Sequence, residues 1–208
     1  MRTLYNAIQG RSVERLAALS DGIFAVAMTL LVLDIHIPAA EGIHSEAQLL
    51  HALGGLAPQG IAYVMSFLTL GIFWAGQQTQ LNHFEGGSRD LTWIHLGFLF
   101  WVTLMPLTTR LLAEFIEYRA ALVAYWLNIL LLGAMLFWSW SYALHHKLVK
   151  EDTDVAVRGA VCRRIVIAQS FYAFGMLLCV INNYVSIAFI VLVQMNYVIA
   201  PRFGKRLG

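Results

Sequence analysis

Residues 15–35 read RLAALSDGIFAVAMTLLVLDI. The second half is as apolar as a membrane span, while the first half carries Arg15, Ser20 and Asp21. A bilayer-crossing helix needs about 20 mostly apolar residues, and this stretch supplies them. The composition agrees: of 208 residues, 59% are hydrophobic and only 12% are charged. A soluble domain carries about twice that share of charge. An all-α membrane protein follows, because in lipid every backbone N–H and C=O must be satisfied within the segment.

Five further runs have the same character. With the first they give six predicted transmembrane helices, at residues 16–37, 59–81, 91–113, 119–145, 160–181 and 184–200, in a single domain covering 1–208. The first run is too long for the core of a signal peptide and is followed by a proline and an acidic cluster, so it reads as a retained span. Between the first two spans, SEAQLLHALGGL is short and amphipathic with a Gly-Gly stop, the pattern of a helix lying on the membrane. Pro106 should kink the third span. Trp138, Trp140 and Tyr142 near the end of the fourth read as an interfacial belt, followed by polar His145, His146 and Lys147.

The cations are unevenly distributed. Arg2, Arg11 and Arg15, then Arg89, then Lys147, Lys150, Arg158, Arg163 and Arg164, then Arg202, Lys205 and Arg206 fall on one side of a six-span layout. Only Arg110 and Arg119 fall on the other. The first outer connection has Asp34, Glu41 and Glu46 but no Lys or Arg, and the fifth, around Asn182 and Asn183, has no charge. The positive-inside rule therefore puts both termini in the cytoplasm, which an even number of spans requires. The acidic first connection reads either as an attractor of cations or as an ordinary solvated loop.

Much is excluded. There is no Walker loop, no GxGxxG, HExxH or GxSxG motif, and the connections are too small for a soluble catalytic domain. Cys162 and Cys179 follow no metal spacing and read as reduced thiols. The seven histidines, His36, His44, His51, His83, His95, His145 and His146, form no metal spacing either. Nothing points to a resident cofactor, a metal centre, a nucleic-acid partner or an enzyme. An intramembrane nucleophile would need a base facing it, and Ser20 and Asp21 are adjacent, so on a helix their side chains diverge.

At about 100° per residue, Gly22, Val26, Thr29, Leu30, Leu33 and Ile37 share one stripe about 100° wide. Ser20 and Asp21 point elsewhere, and the small residues Ala25 and Ala27 flank the stripe, where small side chains let helices approach closely. An intramembrane carboxylate is costly unless paired. Asp21 reads first as a packing residue partnered by Arg15 or a polar side chain of another span, and otherwise as an ion or proton site or an interfacial residue. Periodicity alone leaves open whether Val26, Leu30 and Leu33 face lipid, protein core or a pore.

The pattern Arg15-x-x-x-Leu19-Ser20-Asp21-Gly22, then Ala25, Ala27, Thr29, Leu30 and Leu33, resembles the Arg-x-x-x-Phe-Ser-Asp opening of the transmembrane protein 175 potassium channel family. The second span ends in Phe73-Trp74-Ala-Gly-Gln77-Gln78, similar to the family's Phe-Trp followed by a His pair. Here Leu19 replaces the family's phenylalanine, and Gln77 and Gln78 stand where histidine is common, which bears on any pH response.

The resemblance implies a bacterial inner-membrane, multi-pass channel assembled as a homotetramer. The first helix of each subunit would line a central pore. Such channels lack the Thr-Val-Gly-Tyr-Gly filter, and this chain has no such loop. By the family's register the constriction would be apolar rings of Val26, Leu30 and Leu33 with a hydroxyl layer from Thr29. Permeant K⁺ would pass near Val26 and Thr29, and its partners would be the bilayer and copies of itself. Arg15, Ser20, Asp21, Trp74, Gln77 and Gln78 would form the polar network that packs the spans. The alternative is a secondary transporter with Asp21 in its coupling site, but it wants discontinuous helices and inverted repeats, and only Pro106 interrupts a span.

Overall fold

The computed structural model describes residues 12–199. Arg2, Arg11, Arg202, Lys205 and Arg206, the last position of the sixth predicted span and the side chain of Glu41 lie outside what it describes. The described helices are α1 (Val13–Leu33), α2 (Glu46–Gly54), α3 (Ala57–Asn82), α4 (Arg89–Thr103), α5 (Met105–Glu114), α6 (Arg119–His145), α7 (Val155–Leu177) and α8 (Asn183–Ile199). A 3₁₀ turn over Leu178–Val180 extends α7.

Five segments are long and apolar enough to cross a membrane: Val13–Leu33, Ala57–Asn82, Arg89–Glu114, Arg119–His145 and Val155–Val180. The sixth predicted span is α8, an apolar helix of 17 residues that falls short of those five.

The helix boundaries follow local chemistry. Ser12 caps α1 by accepting from the Arg15 N–H at 3.2 Å, which starts the helix three residues before the predicted 16. The helix stops at Leu33, so Ile37, placed on the helical stripe by periodicity, lies beyond it in a non-helical segment and is 85% exposed. The β-branched pair Ile35 and Ile37 and the restriction Pro38 imposes on its predecessor account for the early stop. α7 starts at Val155 rather than 160 because Asp154 caps it, accepting from the Ala156 N–H at 2.9 Å. The third predicted span breaks at Leu104, with Pro106 in the first turn of α5, where its missing N–H costs no helical hydrogen bond. α2 buries none of its residues and exposes Leu49, Leu50 and Leu53, as a surface helix should.

α6 is the centre of the bundle. Leu122, Tyr125, Ile129, Leu132, Leu136 and Trp140 are buried at helical spacing, and α3, α4, α5 and α7 pack around it. Gly133 lets α7 come close: a Cβ there would overlap the Gln169 amide. The expected aromatic belt is split. Trp138 is 56% exposed, but Trp140 is fully buried. It stacks on Phe84 at 5.9 Å and its indole donates to the Arg158 carbonyl at 3.1 Å. Residues 138 and 140 lie about 200° apart on a helix, so one can face lipid only while the other faces the bundle.

The helices alternate in direction. At one end, Leu16 of α1 packs in a cluster with Leu81 of α3 and Trp140 of α6. There the α3–α4 and α6–α7 connections pair across an antiparallel bridge, Phe84 with Val149. Glu85 N donates to Leu148 O, and Lys150 N to His83 O, each at 2.9 Å. At the other end, His36 N donates to Gln59 Oε1 at 2.9 Å, Asn183 Nδ2 to the Ile116 carbonyl at 3.0 Å and Arg119 to the Val180 carbonyl at 3.0 Å. The described cations Arg89, Lys147, Lys150 and Arg158 gather at the first end. Arg110 lies toward the second, paired with Glu114 at 2.8 Å.

Candidate functional site

α1 has an unusual division of faces. Leu16, Ser20, Phe24, Ala27 and Leu31 are buried, spaced at helical intervals, so a serine sits among the most enclosed residues. Its hydroxyl donates to the Leu16 carbonyl at 2.8 Å and accepts from Gln77 Nε2 at 2.9 Å. Gln77 reaches on to His95 Nδ1 at 3.4 Å, and the other ring nitrogen of His95 lies 3.0 Å from the Ser139 hydroxyl. A fully buried polar chain thus joins α1, α3, α4 and α6. The amide Nε2 serves both neighbours, while Gln77 Oε1 has no partner among the described residues.

One residue on, Asp21 is held from α3 by two donors on the same oxygen. Trp74 Nε1 lies at 2.8 Å and Gln78 Nε2 at 2.7 Å from Oδ1. Trp74 and Gln78 are one helical turn apart and project to the same side. Hydrogen bonds to an ionised carboxylate are the stronger kind, so the pair clamps α1 to α3 near one end of both helices. Arg15 is exposed and forms no ion pair with Asp21 among the described residues. Six residues put it about 9 Å away along the axis and about 120° around it. The polar group joining α1 to its neighbours therefore contains Ser20, Asp21, Trp74, Gln77 and Gln78, with His95 and Ser139 added and the Arg15 side chain apart.

The opposite face of α1 is apolar and uncovered. Val26 is 58% exposed, Leu30 43% and Leu33 73%. Leu19 is exposed on the same face, and Leu19, Gly22, Val26 and Leu30 line a shallow groove that reaches Thr103 at the end of α4. Thr29 is exposed too, and its hydroxyl donates to the Val26 carbonyl at 2.8 Å. With its hydrogen committed to the helix, Thr29 presents only an acceptor oxygen outward, which suits a cation rather than an anion.

His95 extends the network beyond the residues the sequence pointed to, although a histidine within a span is itself a signal of a buried polar contact. A second buried network carries no comparable signal in the sequence. Tyr125 OH lies 3.3 Å from Ser66 Oγ and 3.1 Å from Thr69 Oγ1, Thr109 donates to Ser66 at 2.7 Å, and Gln194 Nε2 reaches Thr69 at 2.7 Å. It ties α3, α5, α6 and α8 together. Among the described residues no group of histidine, cysteine or carboxylate side chains is arranged to hold a metal ion, and both cysteines are free thiols.

Residues 15–106 match the family model described as endosomal/lysosomal potassium channel TMEM175. A potassium channel of Streptomyces collinus is 42% identical over 111 residues, which is 53% of this chain and 52% of that protein. The mouse endosomal/lysosomal proton channel TMEM175 is 31% identical over 109 residues, 50% of this chain and 22% of that one. The match thus spans about half the length of the Streptomyces relative and less of the mouse protein. A solved structure, that of a lysosomal potassium-selective channel TMEM175 homolog from Chamaesiphon minutus, superposes with a TM-score of 0.79. It covers 93% of this chain and 98% of that one at 23% identity, a likeness of fold. These relatives are ion channels, not enzymes. Over residues 15–106 the chain is thus similar in sequence to the TMEM175 family, and over nearly its whole length it shares the helical fold of the Chamaesiphon structure.

Proposed function

We propose that the protein is a subunit of a potassium-permeable channel in a bacterial plasma membrane. Four copies would surround a central path lined by α1, with both chain termini on the cytoplasmic side. The observation that carries this reading is the division of α1: Ser20 and Asp21 are bonded to α3, and the apolar stripe of Val26, Leu30 and Leu33 is left without a partner among the described residues. The groove of Leu19, Gly22, Val26 and Leu30 gives the α1 of a neighbouring copy a place to pack. The name of the Streptomyces relative supports potassium as the permeant ion.

Rings of apolar side chains gate by dewetting: a narrow apolar constriction empties of water, and an ion cannot shed its hydration there without replacement. Thr29 supplies the nearest replacement, an acceptor oxygen beside Val26. The selectivity should be moderate, because hydroxyl and apolar rings replace less of the hydration shell than stacked carbonyls do. A transporter with Asp21 as its coupling carboxylate fits less well, since two donors from α3 already occupy one oxygen of that side chain.

The test is a bi-ionic recording in a planar bilayer, with K⁺ and Na⁺ on opposite sides and a separate run under a proton gradient. Unitary currents that reverse toward the K⁺ potential support the proposal. Slow coupled flux without unitary currents overturns it in favour of a transporter. Reversal that follows the proton gradient overturns potassium as the permeant ion, as the name of the mouse relative would have it.

A further inference from the structure

A crevice opens between α3, α6, α7 and α8, walled by Ile72, Phe73, Leu136 and Ile165, with Arg164 and Tyr197 on its rim. A second groove, between α7 and α8, runs past Phe171, Phe189 and Leu192 and shares the same Arg164 and Tyr197. Counting 20 residues back from Val180, the length needed to span the hydrocarbon layer, puts the membrane boundary near Val161. Arg164 therefore stands at headgroup level, exposed, with an apolar slot on either side. It makes no ion pair with a carboxylate among the described residues.

Inside the crevice a second group lacks its counterpart. Gln80 is 1% exposed and spends an amide hydrogen on the Leu136 carbonyl at 3.1 Å, while its Oε1 has no hydrogen-bond partner among the described residues. Gln169, deeper in the same wall, repeats the pattern: Nε2 bonds the Ile129 carbonyl at 3.2 Å and Oε1 is unpaired among the described residues. Buried acceptors in lipid are costly unless a donor reaches them. The crevice thus offers a cation at the rim, an unpaired acceptor just inside and apolar channels leading away. An anion, a hydroxyl or ammonium donor and an acyl chain on one molecule would satisfy all three. Residues 147–164 add Lys147, Lys150, Arg158 and Arg163 to Arg164, five cations against Glu151, Asp152 and Asp154.

We propose that this crevice is a binding site for one anionic glycerophospholipid of the leaflet at the basic end of the bundle. Its phosphate is held by Arg164, its headgroup hydroxyl donates to Gln80 Oε1, and an acyl chain lies along the groove between α7 and α8. Ile72 to Gln80 is eight residue steps along α3, a depth of about 12 Å, so the crevice takes the polar head and the first part of a chain while the rest stays in the bilayer. The site does not depend on which ion the channel conducts.

The test is native mass spectrometry of the purified full-length protein, titrated with phosphatidylglycerol, with phosphatidylcholine and with inorganic phosphate. The wild type should bind phosphatidylglycerol at least about tenfold more tightly than phosphatidylcholine and show no adduct with phosphate alone. Arg164→Ala should lose about tenfold of that affinity, the scale of one charge-assisted hydrogen bond. Gly76→Leu should lose it by filling the slot: Gly76 lines the crevice, and a Cβ there lies 3.7 Å from Leu136 Cδ1. Arg163→Ala removes the same charge one residue away and should bind as the wild type does. Equal loss in Arg163→Ala and Arg164→Ala would reduce the effect to general surface charge and overturn the site. So would equal binding of the two lipids, or unchanged binding in a folded Gly76→Leu variant that keeps the wild-type elution volume.

Discussion

The indole Nε1 of Trp74 lies 2.8 Å from Asp21 Oδ1 across 53 positions of sequence, and Gln78 Nε2 joins it at 2.7 Å on the same oxygen. The clamp is partly exposed, so its value is set by hydrogen bonding to a carboxylate rather than by burial. Trp74→Phe keeps the ring and removes one donor, and should lower stability by about 1 kcal/mol. Asp21→Ala removes both bonds and should cost more. Thermal unfolding followed by size exclusion orders the two, and equal melting temperatures in wild type and Asp21→Ala would show that the clamp does not hold α1.

Gln78 stands beside a carboxylate, so replacing it with histidine introduces a pH-dependent contact. A protonated imidazole would donate to Asp21 through a charge-assisted hydrogen bond, whereas the neutral ring offers only an ordinary one, so the contact strengthens as pH falls. Gln78→His should melt higher relative to wild type at about pH 5 than at about pH 8. A difference that is flat with pH, or of opposite sign, refutes the contact.

Val26→Asn puts an amide on the exposed stripe. Four such groups around a path would wet it and raise conductance, whereas Val26→Phe should narrow it and lower conductance. Thr29→Val keeps the shape of the side chain but removes the outward acceptor, and should reduce the K⁺/Na⁺ permeability ratio with little change in melting temperature. Single-channel currents and reversal potentials read both effects. If all three variants conduct as the wild type does, α1 does not line the path.

The α6–α7 connection carries a backbone feature that can be improved. Lys147 has φ 54°, in the left-handed region. It follows the cap of α6, with Leu148 N donating to Ala143 O at 2.9 Å and Lys147 N to Leu144 O at 3.3 Å. Glycine is the usual residue in this αL position after a helix. Lys147→Gly should therefore stabilise the protein by about 0.5–1 kcal/mol, measured as a higher melting temperature. A lower one would mean that the lysine side chain contributes more than the backbone strain costs.

Trp140 tests the core at the same end. Trp140→Phe keeps most of the packing on Phe84 and loses the bond to the Arg158 carbonyl, at a cost of about 1 kcal/mol. Trp140→Ala should cost about 3–5 kcal/mol. Equal melting temperatures for the two variants would show that the hydrogen bond, not the ring, is what matters there.

Hydropathy alone located the helices, because a run of about 20 apolar residues has few alternatives. The limits of α6, Arg119–His145, coincide with the expected 119–145. Ends set by one capping residue, at Ser12 and Asp154, were harder to read, since a single side chain decides them against an otherwise continuous pattern. The α1 stripe was visible as a period, but whether it faced the core or away from it was not. Apolar residues pack equally well against lipid or protein, and only the burial of Ser20 and Phe24 decides the matter. Trp140 went astray because tryptophan is at home both at an interface and in a core. The link from Ser20 to Ser139 was out of reach because it joins four helices whose relative rotation no local pattern encodes.

The clamp at Asp21 also gives α1 a mechanical character. Toward its start the helix is pinned to α3 by Trp74 and Gln78, beside connections joined by the Phe84–Val149 bridge. From Asp21 to Leu33 it runs twelve residues, an arm of about 18 Å. A tilt of about 5° at the pinned end would carry Leu33 sideways by about 1.5 Å. With the clamp eight residues from the start of α1 and twelve from its end, a change in the α1–α3 contact is larger at Leu33 than at Val13.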